Sequence, residues 1–436
     1  MISKEENDLL TQTNRGTPCG ELMRRYWQPA ALSDELPEPG CAPVPLRLLG
    51  EDLVLFRDEH GIPGLLGLHC SHRGADLSYG RIEDGGLRCL YHGWLYDVGG
   101  HCLEQPGEPE PLAGDQAGAD ADASASPLPA APRRFHERIQ HPAYPCVEKG
   151  GLIFAYLGPG EPPLLPAYEF LDSRPEFRFV TKYLQECNYL QANEGNIDQT
   201  HLSYLHRRLS YSSGDSQAYL AADTAPTLEP EITDFGLRLY SVRRTGAERI
   251  HVKISNFVYP NVSVFSGGMR DGYSVHLHVP IDDERHWKYV YHFGRSRPLS
   301  EGHVAGFRKE ITNDRRLVRT RSNRYLQDRD ELKAETFSGM GSFFHAQDAC
   351  VTEGAGPIQD RTRENLGYTD RALFTCRKLL LGAIQAVQDG EDPPLTVRNP
   401  AENRFAHLVA RADEIPSDVD WREYWKADAI ASQVPA

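Results

Sequence analysis

The chain opens with helical spacing and passes quickly to strand-like runs. Residues 5–27 carry apolar positions at mixed helical intervals, interrupted by Gly16-Thr17-Pro18, and predict a helical lead-in over 1–42. From 43 to about 158, short apolar runs bounded by Gly, Pro and Asp follow one another, at 44–49, 53–56, 64–68 and 151–157. Runs this short and frequent predict a small antiparallel barrel or sandwich. Residues 106–133 interrupt it with Pro, Gly, Ala, Ser and Asp, too little apolar material to offset the entropy of ordering, and predict a surface insertion disordered over about 107–132. Pro159-Gly160-Glu-Pro-Pro marks a boundary. Beyond it, 175–190 and 236–295 read as strands, and 190–208 and 299–335 as helices. Residues 372–387 read as a further helix, with apolar spacing at Leu373, Cys376, Leu379, Leu380 and Ile384. Strands with segregated helices predict an α+β chain.

Composition narrows the partners. The 436 residues suggest two or three domains, and 47 basic against 62 acidic residues give a net charge of −15. That balance argues against nucleic acid and against an anionic membrane surface. No 18-residue apolar run is present, and Met1-Ile-Ser-Lys-Glu-Glu-Asn lacks the apolar core of a secretion signal, so a soluble cytoplasmic protein is expected. Nine cysteines, an odd number over a long chain, do not form a disulfide scaffold; those beside histidines draw the attention.

Two Cys-His pairs stand out. Cys70-Ser71-His72 ends a strand-like run, and sixteen residues later comes Cys89-Leu90-Tyr91-His92. Four such ligands on two loops can bind zinc or an iron–sulfur cluster. Because Cys and His alternate, each loop can give its Cys to one metal and its His to another, the division a Rieske [2Fe–2S] centre needs. Arg73-Gly74 and Gly93-Trp94 suit loops whose backbone passes close to a cluster. His101 and Cys102 lie nearby without partners at loop spacing and read as structural.

The second constellation is Asp198-Gln-Thr-His201-Leu-Ser-Tyr-Leu-His206. On a helix, His201 falls about −60° and His206 about +80° from Asp198, so the three share a face, and a distortion after Leu202 would help both imidazoles reach one ion. Two imidazoles and a carboxylate form the triad of non-haem Fe(II) oxygenases. Asp348 and Glu353, in His345-Ala-Gln-Asp348-Ala-Cys-Val-Thr-Glu353, both qualify as the third ligand, and spacing does not choose between them.

These motifs, with Gly20-Glu-Leu-Met-Arg-Arg-Tyr-Trp-Gln-Pro, Leu184-Gln-Glu-Cys-Asn-Tyr-Leu-Gln-Ala-Asn-Glu-Gly and Gly356-Pro-Ile-Gln-Asp-Arg-Thr-Arg, make the chain resemble the Rieske non-haem iron aromatic-ring oxygenases. The likeness is to the phthalate dioxygenase-like branch, which includes 3-chlorobenzoate dioxygenases and lignin-fragment O-demethylases. The resemblance implies a small all-β Rieske domain (43–160) and a larger antiparallel-sheet catalytic domain covered by helices (161–436), on which the lead-in packs. It implies Cys70 and Cys89 on one cluster iron, His72 and His92 on the other, and His201, His206 and Asp348 on the mononuclear Fe(II). Asp198 matches the aspartate that bridges a mononuclear-site histidine to a Rieske histidine of a neighbouring subunit, which implies a homotrimer or stacked trimers. Ser71 and Leu90 stand where the family often has Pro, and Ala355 where Met is common before Gly-Pro-Ile.

The sequence lacks a G-x-G-x-x-G fingerprint for NADH or flavin, so electrons must come from a separate reductase, by resemblance an NADH-dependent flavin and iron–sulfur protein. With O2, the expected products are a cis-diol, or a hydroxylated methyl group lost as formaldehyde. An aromatic carboxylate substrate needs a local cation. Lys253, on His251-Val-Lys-Ile-Ser-Asn-Phe, and Arg243-Arg244 are candidates, with Asn256 and Phe257 on the same wall. His276 and His278 read as core or pocket lining. The reading from another class is a stand-alone Rieske electron carrier, but the extra cysteine pair of respiratory-type loops is missing here.

Overall fold

A computed structural model describes residues 2–108, 135–213, 215–267 and 271–426. The lead-in is helical for local reasons. In α1 (Lys4–Thr11), Ser3 Oγ accepts from the Glu6 amide and the Glu6 carboxylate accepts from the Ser3 amide. Thr17 caps α2 (Pro18–Arg24), where Pro18 occupies the first turn. The chain then enters β1 (Gln28–Leu32), which pairs with β11 (Leu152–Ala155), itself paired with β10 (Cys146–Lys149).

Between these strands lies a small β region of two four-stranded sheets. One runs β2 (Val44–Leu48), β3 (Glu51–Arg57), β4 (Pro63–Gly67), β9 (Ala143–Tyr144). The other runs β5 (Arg81–Glu83), β6 (Gly86–Arg88), β7 (Leu95–Tyr96), β8 (Cys102–Glu104). They close over Val54, Phe56, Leu66, Leu87, Trp94 and Tyr96. The short strands expected at 44–49, 53–56, 64–68 and 151–157 are present. The insertion expected over 107–132 lies, from residue 109 onward, outside the described residues.

The second region is an eight-stranded antiparallel sheet. Its strands are β12 (Arg178–Gln185), β13 (Thr227–Thr233), β14 (Gly236–Arg244), β15 (Arg249–Val258), β16 (Val262–Phe265), β17 (Gly272–Pro280) and β18 (His286–Gly294), with β19 (Arg411–Pro416) at the C-terminal end. The order is β12-β18-β17-β16-β15-β14-β13. One edge of the long β15 serves two partners: β19 along Arg249 to Ile254, and β16 along Ser255 to Val258.

Around the sheet lie α3 (Tyr189–Ile197), α4 (Tyr219–Ala222), α5 (Glu301–Arg308), α6 (Glu331–Ala334), α7 (Phe344–Gly354) and α8 (Arg371–Gln388). The apolar stripe of α8, Ala372, Cys376, Leu380, Ala383, Ile384 and Val387, is buried, and α8 packs on α1, α2, β13 and β14. Buried charges tie α3 to the C-terminal part. Glu194 receives Arg361 Nη2 at 2.7 Å and Arg377 Nε at 2.6 Å, and Arg377 also reaches Glu364 at 2.6 Å. Burial alone would raise the Glu194 carboxyl, but the two guanidinium groups hold it below its ordinary value.

Two helix expectations need correction. Residues 190–208 do not form one helix: α3 stops at Ile197, and Asp198 leaves the helix at ψ 119°. The Asp198 side chain accepts from the Thr200 amide at 2.7 Å, offering the backbone a turn in place of another helical bond. Residues 299–335 divide into α5, a turn at Arg321–Leu326 with left-handed Arg324 and Tyr325, and α6.

Candidate metal centres and substrate cavity

The two Cys-His turns are built alike. The Cys70 amide donates to Ala75 O and the Gly74 amide to Cys70 O, both at 2.8 Å. In the second turn, the Cys89 amide donates to Trp94 O at 2.8 Å and the Gly93 amide to Cys89 O at 3.0 Å. Each closure needs a left-handed residue four positions after the cysteine, supplied by Gly74 (φ 72°) and Gly93 (φ 75°). Cys70 and Cys89 are buried, whereas His92 is exposed. The His72 and His92 rings lie 4.5 Å apart, and His72 stacks on Trp94 at 4.5 Å.

The donor set fits a two-iron cluster. Within the described residues, three or more Cys, His, Asp or Glu ligand atoms converge within 4.8 Å at one place only, and it is not here; the four side chains do not share the single point that zinc would need. Among the described residues, the buried His72 Nδ1 has no hydrogen-bond partner. Burial pushes the Cys89 thiol up, while the backbone amides of Tyr91 and His92 act on its sulfur in the opposite sense. Tyr96 Oη lies 3.2 Å from Cys70 Sγ. Ser71 holds the first turn from outside. His141 Nε2 donates to Gly67 O at 2.8 Å, which leaves Nδ1 to accept from the Ser71 hydroxyl at 2.7 Å. His101 is exposed beside Asp97, and the buried Cys102 thiol, pushed up to about 11 by burial, faces Glu104 O; both are structural.

His201, His206 and Asp348 do converge. His201 sits on a short turn (His201–Ser203), Tyr204 leaves that turn at ψ −67°, and His206 returns on the following loop. Asp348 comes from α7. His206 Nε2 lies 3.0 Å from Asp348 Oδ1, His201 Nε2 3.7 Å from the same oxygen, and the two Nε2 atoms 3.2 Å apart. Bonds of about 2.1 Å at tetrahedral or octahedral angles separate donor atoms by about 3.0–3.4 Å. Two of the three separations fall in that range, and the third, His201 to Asp348, is a few tenths of an ångström longer, so a small inward shift of His201 brings all three onto one ion. The tautomer fits too. His206 Nδ1 donates to Gln347 Oε1 at 2.5 Å, an amide oriented by its own bond to Gly341 O, so Nε2 keeps a free lone pair. Burial would raise the Asp348 carboxyl, but His206 and Lys288 hold it well below the carboxylate range.

Geometry decides between the two acids on α7. Five residues from Asp348, or about 140° around the helix, Glu353 points away, bonded to Tyr325 Oη and to the Glu186 amide. Asp198 Oδ2 lies 3.7 Å from His201 Nδ1, behind the triad. Burial acts to raise its carboxyl, and His201 holds it low.

The triad opens into a cavity of about 1500 Å3. Lys253 lines it, is buried, and makes no ion pair or hydrogen bond among the described residues; its ammonium stands 5.7 Å from the Phe265 ring centroid. Burial, with Arg243 nearby, pulls the Lys253 amine down to about 7. Another wall belongs to the C-terminal stretch, including Phe405, Leu408, Val409, Ala412 and Trp425. Asn256 and Phe257 are not on the cavity wall. Strand alternation sends Asn256 to the face opposite Lys253, where it donates to Val409 O, and Phe257 packs in the main core. Arg243 is fully buried and holds Gln199 O, and Arg244 is exposed, leaving Lys253 as the cavity cation of the three candidates. Sequence reasoning missed Phe344, stacked on His206 at 4.1 Å, and Gln347. Phe344 stands four residues before Asp348, on the same helical face, and that spacing was available.

A region with alternating Cys-His turns, joined to an antiparallel sheet bearing a two-His, one-carboxylate triad beside a cavity, defines an iron-dependent oxygenase subunit. Residues 26–119 match the Rieske [2Fe-2S] domain, and residues 155–435 match the LigXa C-terminal domain like family. The chain is 33% identical to the phthalate 4,5-dioxygenase oxygenase subunit of Pseudomonas putida, over 97% of this chain and 95% of that one. It is 31% identical to the 5,5'-dehydrodivanillate O-demethylase oxygenase subunit of Sphingobium sp. (strain SYK-6), over 94% and 86%. A solved reduced complex between oxygenase and ferredoxin in carbazole 1,9a-dioxygenase shares the fold at a TM-score of 0.55 and 19% identity, covering 92% of this chain and 97% of that one. The chain belongs to the Rieske non-haem iron oxygenases, in the phthalate dioxygenase-like branch, and is an oxygenase component. Its cofactors are a Rieske [2Fe–2S] cluster and a mononuclear iron, so the stand-alone carrier reading falls. Among the described residues no helix is long and apolar enough to cross a membrane.

Proposed function

We propose that the chain hydroxylates an aromatic carboxylate of phthalate or benzoate type. The observation that carries this is Lys253, a buried amine, charged below about 7, that has no counter-ion among the described residues and lines the cavity that reaches Asp348 and His206. A substrate carboxylate supplies the missing charge and holds the ring against Phe265. When bound, the cluster supplies single electrons and the ferrous ion supplies O2 activation. Cys70 and Cys89 would hold one cluster iron, His72 and His92 the other, and His201, His206 and Asp348 the ferrous ion. Asp198 orients His201 and links it to a Rieske histidine of an adjacent copy in a trimer. Gln347 fixes the His206 tautomer, and the buried walls exclude water around the ring. Electrons come from a separate NADH-dependent flavin and iron–sulfur reductase. The O-demethylase reading stands second, because one of the relatives carries that activity in its name.

The test is turnover of aromatic acids with a surrogate reductase, scoring cis-diol against formaldehyde. Lys253→Met should raise KM for every acid about tenfold with kcat little changed. The wild-type Lys253 amine is charged below about 7 and neutral above, while the substrate carboxylate is anionic at every pH above about 5, the range to be measured. Affinity should therefore be flat at acid pH and fall as pH rises through 7, and the Met variant should lose that slope. An unchanged KM in Lys253→Met would overturn the carboxylate reading.

A further inference from the structure

Three buried histidines behind the Phe265 wall form a hydrogen-bonded row whose proton order is fixed from one end. His286 Nδ1 lies 2.7 Å from the backbone carbonyl of Cys187, which can only accept, so His286 Nδ1 carries the proton and Nε2 accepts. His278 Nδ1, 3.2 Å from His286 Nε2, is therefore a donor, and its Nε2 accepts from Asn196 Nδ2 at 2.6 Å. Asn196 Oδ1 then accepts from His276 Nδ1 at 3.3 Å. The last atom in the row, His276 Nε2, is left with a lone pair, is buried, and has no partner among the described residues. Burial, reinforced by the nearby Lys288, holds His276 and His278 neutral, and burial pulls His286 down to about 3, so no imidazolium breaks the order.

This row ends at the cavity. Asn196 and His276 both line it, and the His276 ring meets the Phe265 ring edge-on at 4.6 Å, on the neighbouring strand. Lys253, Phe265 and His276 thus form a continuous wall of cation, aromatic face and hydrogen-bond acceptor. The geometry points to His276 Nε2 as a fixed acceptor for a hydroxyl on the substrate ring, which makes the substrate a hydroxylated aromatic acid rather than one bearing carboxylates alone. This inference rests on the aromatic-carboxylate reading above. A ring carrying only carboxylate or ether oxygens would leave two acceptors facing each other, and an unmet buried acceptor is costly.

The test is binding without turnover, by calorimetry on the full-length, metal-loaded protein with no electron donor. The probes are benzoate, 3- and 4-hydroxybenzoate, and 3- and 4-methoxybenzoate. One hydroxy isomer should bind at least about tenfold more tightly than its methoxy counterpart. His276→Phe should reduce that preference below about twofold while leaving benzoate affinity within about threefold, and His276→Gln, which retains an acceptor, should restore part of it. If the Phe variant does not fold, Asn196→Leu frees the tautomer choice and should weaken the same preference. Equal affinities in wild type, or a preference that survives His276→Phe, would overturn the proposal while leaving the carboxylate reading intact. Failure of every probe to bind would overturn both.

Discussion

The two proposed metal sites are assembled on opposite plans. The cluster turns are local: each carries its cysteine, its histidine and its glycine within five residues, and each is closed by the same pair of backbone hydrogen bonds. The triad is non-local: His201 and His206 follow the end of α3, while Asp348 comes from α7, 142 residues beyond His206. The two Cys-His turns place His92 at the surface, whereas the triad keeps His206 buried beneath a cavity wall. The proposed cluster site is built at an exposed tip, and the proposed iron site from elements that bury it.

The strongest way to break this comparison is to remove one centre and ask whether the other persists. Cys89→Ser should abolish the visible absorbance of the cluster and all turnover. Asp348→Ala should keep the colour, lower iron from about three to about two per chain, and also abolish turnover. Loss of colour in Asp348→Ala would show that the two regions do not fold independently around their metals. The next largest effect concerns the link. Asp198→Asn should retain both metal centres, about three irons per chain, but slow cluster reoxidation by O2 in substrate-loaded enzyme about 10- to 100-fold in stopped-flow absorbance. The smallest effect tests the likeness of the two turns. Gly74→Ala has open space for the new methyl group and should cost about 1–2 kcal/mol for the left-handed backbone alone, a fall of a few degrees in Tm. Gly93→Ala adds a contact 3.1 Å from Pro106 Cγ and should cost more. Equal costs would mean that the contact relaxes freely.

The same contrast explains what could be read from the chain. Cys70, His72, Cys89 and His92 stand out because local closure leaves a spacing in the sequence, and short strands announce themselves by Gly and Pro at their ends. The triad was half legible: two histidines signalled it, but the choice of Asp348 over Glu353 from spacing required knowing which face of α7 meets a loop from elsewhere. Over 190–208 helical periodicity outweighs the turn chemistry of Asp198 in the sequence, so one helix is expected where the chain turns. Asn256 is legible as lying opposite Lys253, since period-two alternation sets residues three apart on opposite faces of a strand. The polar row through Asn196 could not be read at all, since it joins α3 to β17 and β18, across 80 residues or more.

The wall contributed by the final stretch, with β19 laid along the first half of β15, has a consequence for descent. None of the proposed metal ligands lies in it, so its residues can change without touching electron delivery or the ferrous site. New substrates can be acquired by revising the tail while the oxidising apparatus is inherited whole. Relatives at 33% and 31% identity, one named for dioxygenation and the other for O-demethylation, are what such a division of labour would leave behind.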